Sequence, residues 1–181
     1  CPVTGWTPRD RRCYGWGRIA MPSAAEITDK LTLMGQAAGA NFVDPWRHGS
    51  EILLPATGDL VVVGDLHGHM ENLQRAVAFA DLDAHPARHM ILQEVIHQLA
   101  LGEDHSFELL EATAALKCRF PDRVRVILGN HDLAEWQGRE IFKGGLCLNL
   151  LFRGGIRNAY GDEAAAASEL SAVARARPLT P

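Results

Sequence analysis

Apolar residues in this chain fall into two patterns, short unbroken runs and longer stretches with helical spacing. Residues 60–63, the run within 89–94, and residues 124–128 are short, rich in β-branched residues and bounded by glycine or polar positions. That is the signature of fully buried strands. Between them, residues 70–80 place Leu73, Ala76, Val77 and Ala80 on one side, and residues 106–117 do the same with Phe107, Leu110 and Ala114. Both predict amphipathic helices. The order strand, helix, strand, helix, strand predicts a parallel sheet joined by right-handed crossovers, an α/β fold with flanking helices.

The flanking segments carry weaker patterns. Pro22-Ser23 with Glu26 is a helix-start signal, and Ile27, Leu31 and Met34 give residues 24–38 one apolar face, with Gly39 expected to stop the helix. Residues 41–50 read as a loop whose Trp46, Arg47 and His48 serve packing or surface. Residues 51–54 and 60–63 flank the turn cluster Pro55-Ala56-Thr57-Gly58-Asp59, which predicts a hairpin entering the sheet. Downstream, residues 133–137 predict a helical turn and residues 144–160 a helix punctuated by Gly154-Gly155. Residues 162–175 predict an alanine-rich helix whose Asp162 and Glu163 suit its dipole. Residues 1–20 hold arginines, glycine, proline and tryptophan without periodicity. They are expected to be a non-native or disordered leader before Met21, leaving 21–181 as the folded part.

Composition narrows the class. With 181 residues, 47% of them hydrophobic and 22% charged, the chain can build one ordinary globular core. A formal net charge of −4 offers no overall attraction to nucleic acid or an anionic membrane. No apolar run reaches the length of a transmembrane helix. Cys1, Cys13, Cys118 and Cys147 lack C-x-x-C spacing, which suggests a reducing compartment and a cytoplasmic protein.

Chemistry gathers where the strand runs end. The first leads into Gly64-Asp65-Leu66-His67-Gly68-His69, the second into Gln93-Glu94, and the third into Gly129-Asn130-His131-Asp132. Ligands of open α/β sheets bind just beyond such strand ends. A carboxylate and an imidazole one residue apart there can hold a metal ion. Gly-Asp-x-His-Gly, a later acidic strand end and Gly-Asn-His-Asp together resemble the calcineurin-like metallophosphoesterases, over roughly residues 60–131.

The resemblance implies a calcineurin-like α/β fold and hydrolysis of a small phosphorylated substrate, whether phosphomonoester, phosphodiester or nucleotide. It implies two divalent ions (Mn, Fe or Zn) held by Asp65, His67, Glu94 and Asn130. Glu94 would bridge, in place of the family's aspartate, and His131 would act as general acid. His97 and Gln98 stand where the family's protein phosphatases resemble a His-orienting carboxylate and a phosphate-gripping arginine. Leu128 stands where those enzymes carry another arginine, which points away from protein substrates. The last histidine is His131, so the family's later metal-binding histidines have no counterpart. The resemblance therefore implies the N-terminal part of a longer domain. Alone, such a part would bind at most one ion, weakly, through Asp65, His67 and Glu94, with negligible hydrolysis. The competing expectation is a non-catalytic metal-binding or scaffold protein that keeps the fold.

Overall fold

The structure, a computed structural model, describes residues 22–49, 51–99 and 102–161. In chain order they form α1 (Ala24–Phe42), β1 (Arg47–His48), β2 (Glu51–Ile52), β3 (Asp59–Asp65), α2 (Met70–Ala80), β4 (Arg88–Gln93), α3 (Ser106–Arg119), β5 (Val124–Ile127), α4 (Asn130–Gln137), β6 (Phe142–Lys143), β7 (Leu146–Cys147) and α5 (Leu148–Tyr160). The expected leader and alanine-rich helix lie outside the described residues. Among those described, no helix is long and apolar enough to cross a membrane.

The class is α/β. Strands β3, β4 and β5 form a parallel sheet in that order, each followed by a helix. On one face, Met90, Leu92 and Val124 are wholly buried. With Val61, Val63 and Val126 they pack against Leu73 of α2, Leu109 and Leu116 of α3, and Phe152 and Ile156 of α5. The other face differs from the expectation of a strand buried on both sides. At β3 that face is open, Leu60 and Val62 being 46% and 63% exposed, because the three core helices stack against the opposite pleat; on β4 and β5 the same face carries the buried His89 and Arg125. In a strand of period two, one covered face buries only every second residue.

The expected hairpin between residues 51–54 and 60–63 does not form. β2 pairs instead with β1, antiparallel, and β3 enters the parallel sheet beside β4. The Pro55–Asp59 cluster is therefore a connection between two sheets. Gly39 does not stop α1 either. Ser23 and Glu26 close a capping box at its start, with the Ser23 N–H donating to the Glu26 carboxylate at 2.8 Å. The helix then runs to Phe42 while Ala37 and Ala38 bury themselves, so packing outweighs a glycine cost of about 1 kcal/mol. Gly144 and Gly145, with φ of 57° and 80°, form the two-residue turn of the β6–β7 hairpin, where a helix was expected. Gly154 and Gly155 lie inside α5. A Cβ on Gly155 would meet the Asp104 carbonyl oxygen at 1.9 Å, so the glycine admits close approach of the α3 entry loop.

A buried charge cluster ties the segment after α1 to the sheet. Asp44 accepts from Arg125 at 3.0 Å and from Lys117 at 3.3 Å, and Arg125 lies 2.9 Å from His89 Nδ1. Burial alone would push the Asp44 carboxyl up. The Arg125 hydrogen bond, the Trp46 N–H and the two cationic charges outweigh it and hold the carboxyl below its ordinary value.

Candidate metal centre

Three loops at the carboxyl ends of β3, β4 and β5 build the site. Within β3 the register shifts between Val62 and Asp65. The chain then runs beside the segment after β4: the His67 N–H donates to the Glu94 carbonyl at 2.7 Å and the Gly68 N–H to the Val95 carbonyl at 3.0 Å. Asp132, in the first turn of α4, fastens the third loop to the second. Its carboxylate accepts from the N–H groups of Gly129 at 3.0 Å, Ile96 at 3.2 Å and Val95 at 3.4 Å.

His67, Glu94 and His97 adopt left-handed backbone, with φ of 43°, 48° and 62°. Such geometry costs about 1–3 kcal/mol per non-glycine residue and persists only where surrounding structure enforces it. Among the described residues one other non-glycine shares it, Asp81, an ordinary helix cap after α2. Strain is thus concentrated at the strand ends.

Glu94 is 1% exposed. Its side chain lies under the start of α4, where the His131 N–H donates to both carboxylate oxygens, at 3.1 and 3.3 Å. A helix N-terminus favours an anion there. Gly129 makes this possible, since a Cβ on it would stand 1.7 Å from Glu94 Oε1. Burial and then the Asp132 charge raise the Glu94 carboxyl above its ordinary value, against the His131 N–H and His67. A buried carboxylate beside another carboxylate gains from a cation.

Ligand atoms of His67, Glu94 and His131 all lie within 4.8 Å of one another. Two imidazoles and a carboxylate are a donor set for a divalent ion such as Zn, Mn or Fe. His67 Nδ1 is 3.2 Å from the Ile96 carbonyl oxygen. Donation there leaves Nε2 with its lone pair, the arrangement found when imidazole ligates a metal. The His131 imidazole is pushed down to about 4 by burial and then by His67, His97 and Lys143, with Asp65 opposing. It is neutral at pH 7 and its lone pair is available. These residues fit a metal ion.

The structure places the five sequence-predicted site residues unevenly. His67, Glu94 and His131 come together. Asp65 is exposed at the end of β3, close enough for its charge to act on His131. Asn130 is exposed in the first turn of α4, and its N–H also acts on Glu94. His69 precedes α2 at the cap position, without a side-chain cap bond, consistent with a helix-start residue.

Behind His131 lie His97, which the sequence reading noted only as standing in place of a His-orienting carboxylate, and Glu135, which it did not single out. His97 is wholly buried, with Nδ1 3.2 Å from His131 Nδ1 and Nε2 3.1 Å from Glu135 Oε2. Glu135 also accepts from Asn149 at 2.6 Å and Arg153 at 2.7 Å. Its spacing from His131, one helical turn along α4, was the available signal.

Comparison with protein-family models, with curated proteins and with solved structures yields no match for this chain.

Proposed function

We propose that this chain carries the metal site of a phosphoester hydrolase of calcineurin-like fold, acting on a small phosphomonoester, phosphodiester or nucleotide. The observation that supports this reading is the convergence of His67, Glu94 and His131 at the ends of three adjacent parallel strands. Asp65, His67, Glu94 and Asn130 are the residues that would hold divalent ions. When bound, such ions supply Lewis acidity, which neutralises phosphoryl charge and activates water. Glu94, fixed by the α4 N-terminus, sets the position of that charge. His131, neutral at pH 7 in the free site, would have to take up a proton beside the phosphoryl charge before giving it to the leaving oxygen, a role worth about 10²–10⁴-fold in rate.

The second reading, a metal-binding protein without catalysis, is favoured by one observation. His131 belongs to the donor cluster itself, whereas Asn130 and Asp65 are exposed. Ligation by His131 would remove the acid.

Calorimetric titration with Mn²⁺ and an aryl phosphate assay test both. The hydrolase reading expects Mn²⁺ binding that His67→Ala abolishes and, against the sequence expectation of negligible hydrolysis by this part alone, Mn²⁺-dependent turnover that His131→Ala slows while ion stoichiometry stays the same. No Mn²⁺ binding by the wild type overturns both readings. Binding without hydrolysis of an aryl phosphate, an aryl phosphodiester or a dinucleoside polyphosphate, with ion loss in His131→Ala, establishes the second.

A further inference from the structure

We infer that Glu135 acts through His97 to fix the tautomer and orientation of His131, making Glu135 and His97 positioning residues. The inference rests on His131 being a site residue, as proposed above.

The chain of contacts has one sense. Glu135 is 8% exposed and holds three partners, His97, Asn149 and Arg153. An ionised carboxylate only accepts hydrogen bonds, so the nitrogen facing it, His97 Nε2, carries the hydrogen. With a single hydrogen on the ring, the form the experiment below tests, His97 Nδ1 is a bare acceptor. The atom 3.2 Å from it is His131 Nδ1. Two bare nitrogens at that distance would repel, so His131 Nδ1 carries the hydrogen and donates it. His131 Nε2 is then the nitrogen left to ligate or to exchange a proton.

The surroundings hold this order in place. The Phe152 ring stands edge-on to His97 at 5.6 Å between centroids, and the His97 backbone N–H donates to Ser106 Oγ at 3.0 Å. The left-handed backbone at His97 is strain spent on directing this imidazole inward. Asn149 and Arg153 come from α5, so that helix anchors the carboxylate that orders a site two elements away.

Long-range proton–nitrogen correlation on the histidine-labelled full chain reads each tautomer directly, without metal or substrate. The expected result is His97 with its hydrogen on Nε2 and His131 with its hydrogen on Nδ1. His97→Leu removes the acceptor and should leave His131 as a mixture of tautomers. His97→Asn, whose carbonyl oxygen can occupy the Nδ1 position, should restore the single Nδ1–H form, a rescue that a merely structural role would not give. His97 protonated on both nitrogens facing a bare His131 Nδ1 overturns the inference, as does an unchanged His131 tautomer in His97→Leu. Should a variant fail to fold, the wild-type tautomers still decide. Absence of phosphoester hydrolysis with the expected tautomers sinks the hydrolase reading and leaves this one standing.

Discussion

Replacing Gly129 by alanine tests whether the Glu94 carboxylate lies where the site requires it. Gly129 has φ −83° and ψ −177°, extended backbone that any residue adopts. In open space the change would stabilise by about 0.4–1 kcal/mol, by restricting the unfolded chain. Here the new Cβ would stand 1.7 Å from Glu94 Oε1, 1.9 Å from its Cδ and 2.3 Å from its Cγ. Glu94 must move, yet it is 1% exposed and held by the His131 N–H. Overpacking costs about 1–3 kcal/mol, and a lost hydrogen bond to a charged group about 1.5–3. Less the backbone gain, the expected loss is about 2–6 kcal/mol. With a urea slope near 2 kcal/mol/M, the unfolding midpoint falls by about 1–3 M. Mn²⁺ affinity should fall as well.

The decisive comparison is the same substitution in Glu94→Ala. With the obstructing side chain gone, Gly129→Ala should be neutral or stabilising, so the two changes couple by about 2 kcal/mol or more. An equal loss in both backgrounds would refute the placement of Glu94. So would a Gly129→Ala single variant as stable as wild type that binds Mn²⁺ equally well.

Other substitutions test the frame that carries the site. Asp44→Asn leaves Lys117 and Arg125, each 1% exposed, without their buried counter-charge and should cost about 3–5 kcal/mol in urea unfolding. Because the Asp44 carboxyl is held below its ordinary value of 3.8, its contribution is fully present above that pH and is lost as pH falls through the lowered value. The gap between wild type and Asp44→Asn should therefore be constant at neutral pH and close in acid; a gap that widens in acid contradicts the ion pairs. Leu92→Ala, wholly buried, should cost about 2–5 kcal/mol, while Val62→Ala, 63% exposed, should change stability by about 0.5 kcal/mol or less. Equal losses would mean that β3 is covered on both faces.

Local patterns in the chain made much of this frame legible. α2 spans the residues its apolar spacing predicts, and the parallel order of β3, β4 and β5 follows from alternation of strands and helices. Partner choice was not local. A turn cluster at Pro55–Asp59 is compatible with a hairpin, but β2 finds its partner in β1, and no residue between them announces this. One-sided burial of β3 was hidden for a related reason: Leu60–Val63 is apolar at every position, so its composition carries no alternation to show which face is covered.

The site divides in the same way. That His67, Glu94 and His131 stand at the three strand ends was readable, because the runs and their polar stops adjoin in sequence. Which side chains meet depends on backbone angles and helix phase. Left-handed conformations at His67, Glu94 and His97 have no propensity signal, since they are enforced by the loops packed around them. Helix phase decides the rest. α4 begins at Asn130, three residues before the predicted turn, so Asn130 and His131 are consecutive helical residues about 100° apart around the axis. Their side chains leave the helix in different directions, and His131 is the one whose ligand atoms come within 4.8 Å of those of His67 and Glu94. The phase that turns His131 toward them also brings Glu135, one turn on, to the same side, where His97 fills the space between. The meeting of His131 with His67 and Glu94, and the carboxylate behind it, are thus consequences of one helix start, which Gly129 sets by letting Glu94 lie beneath it.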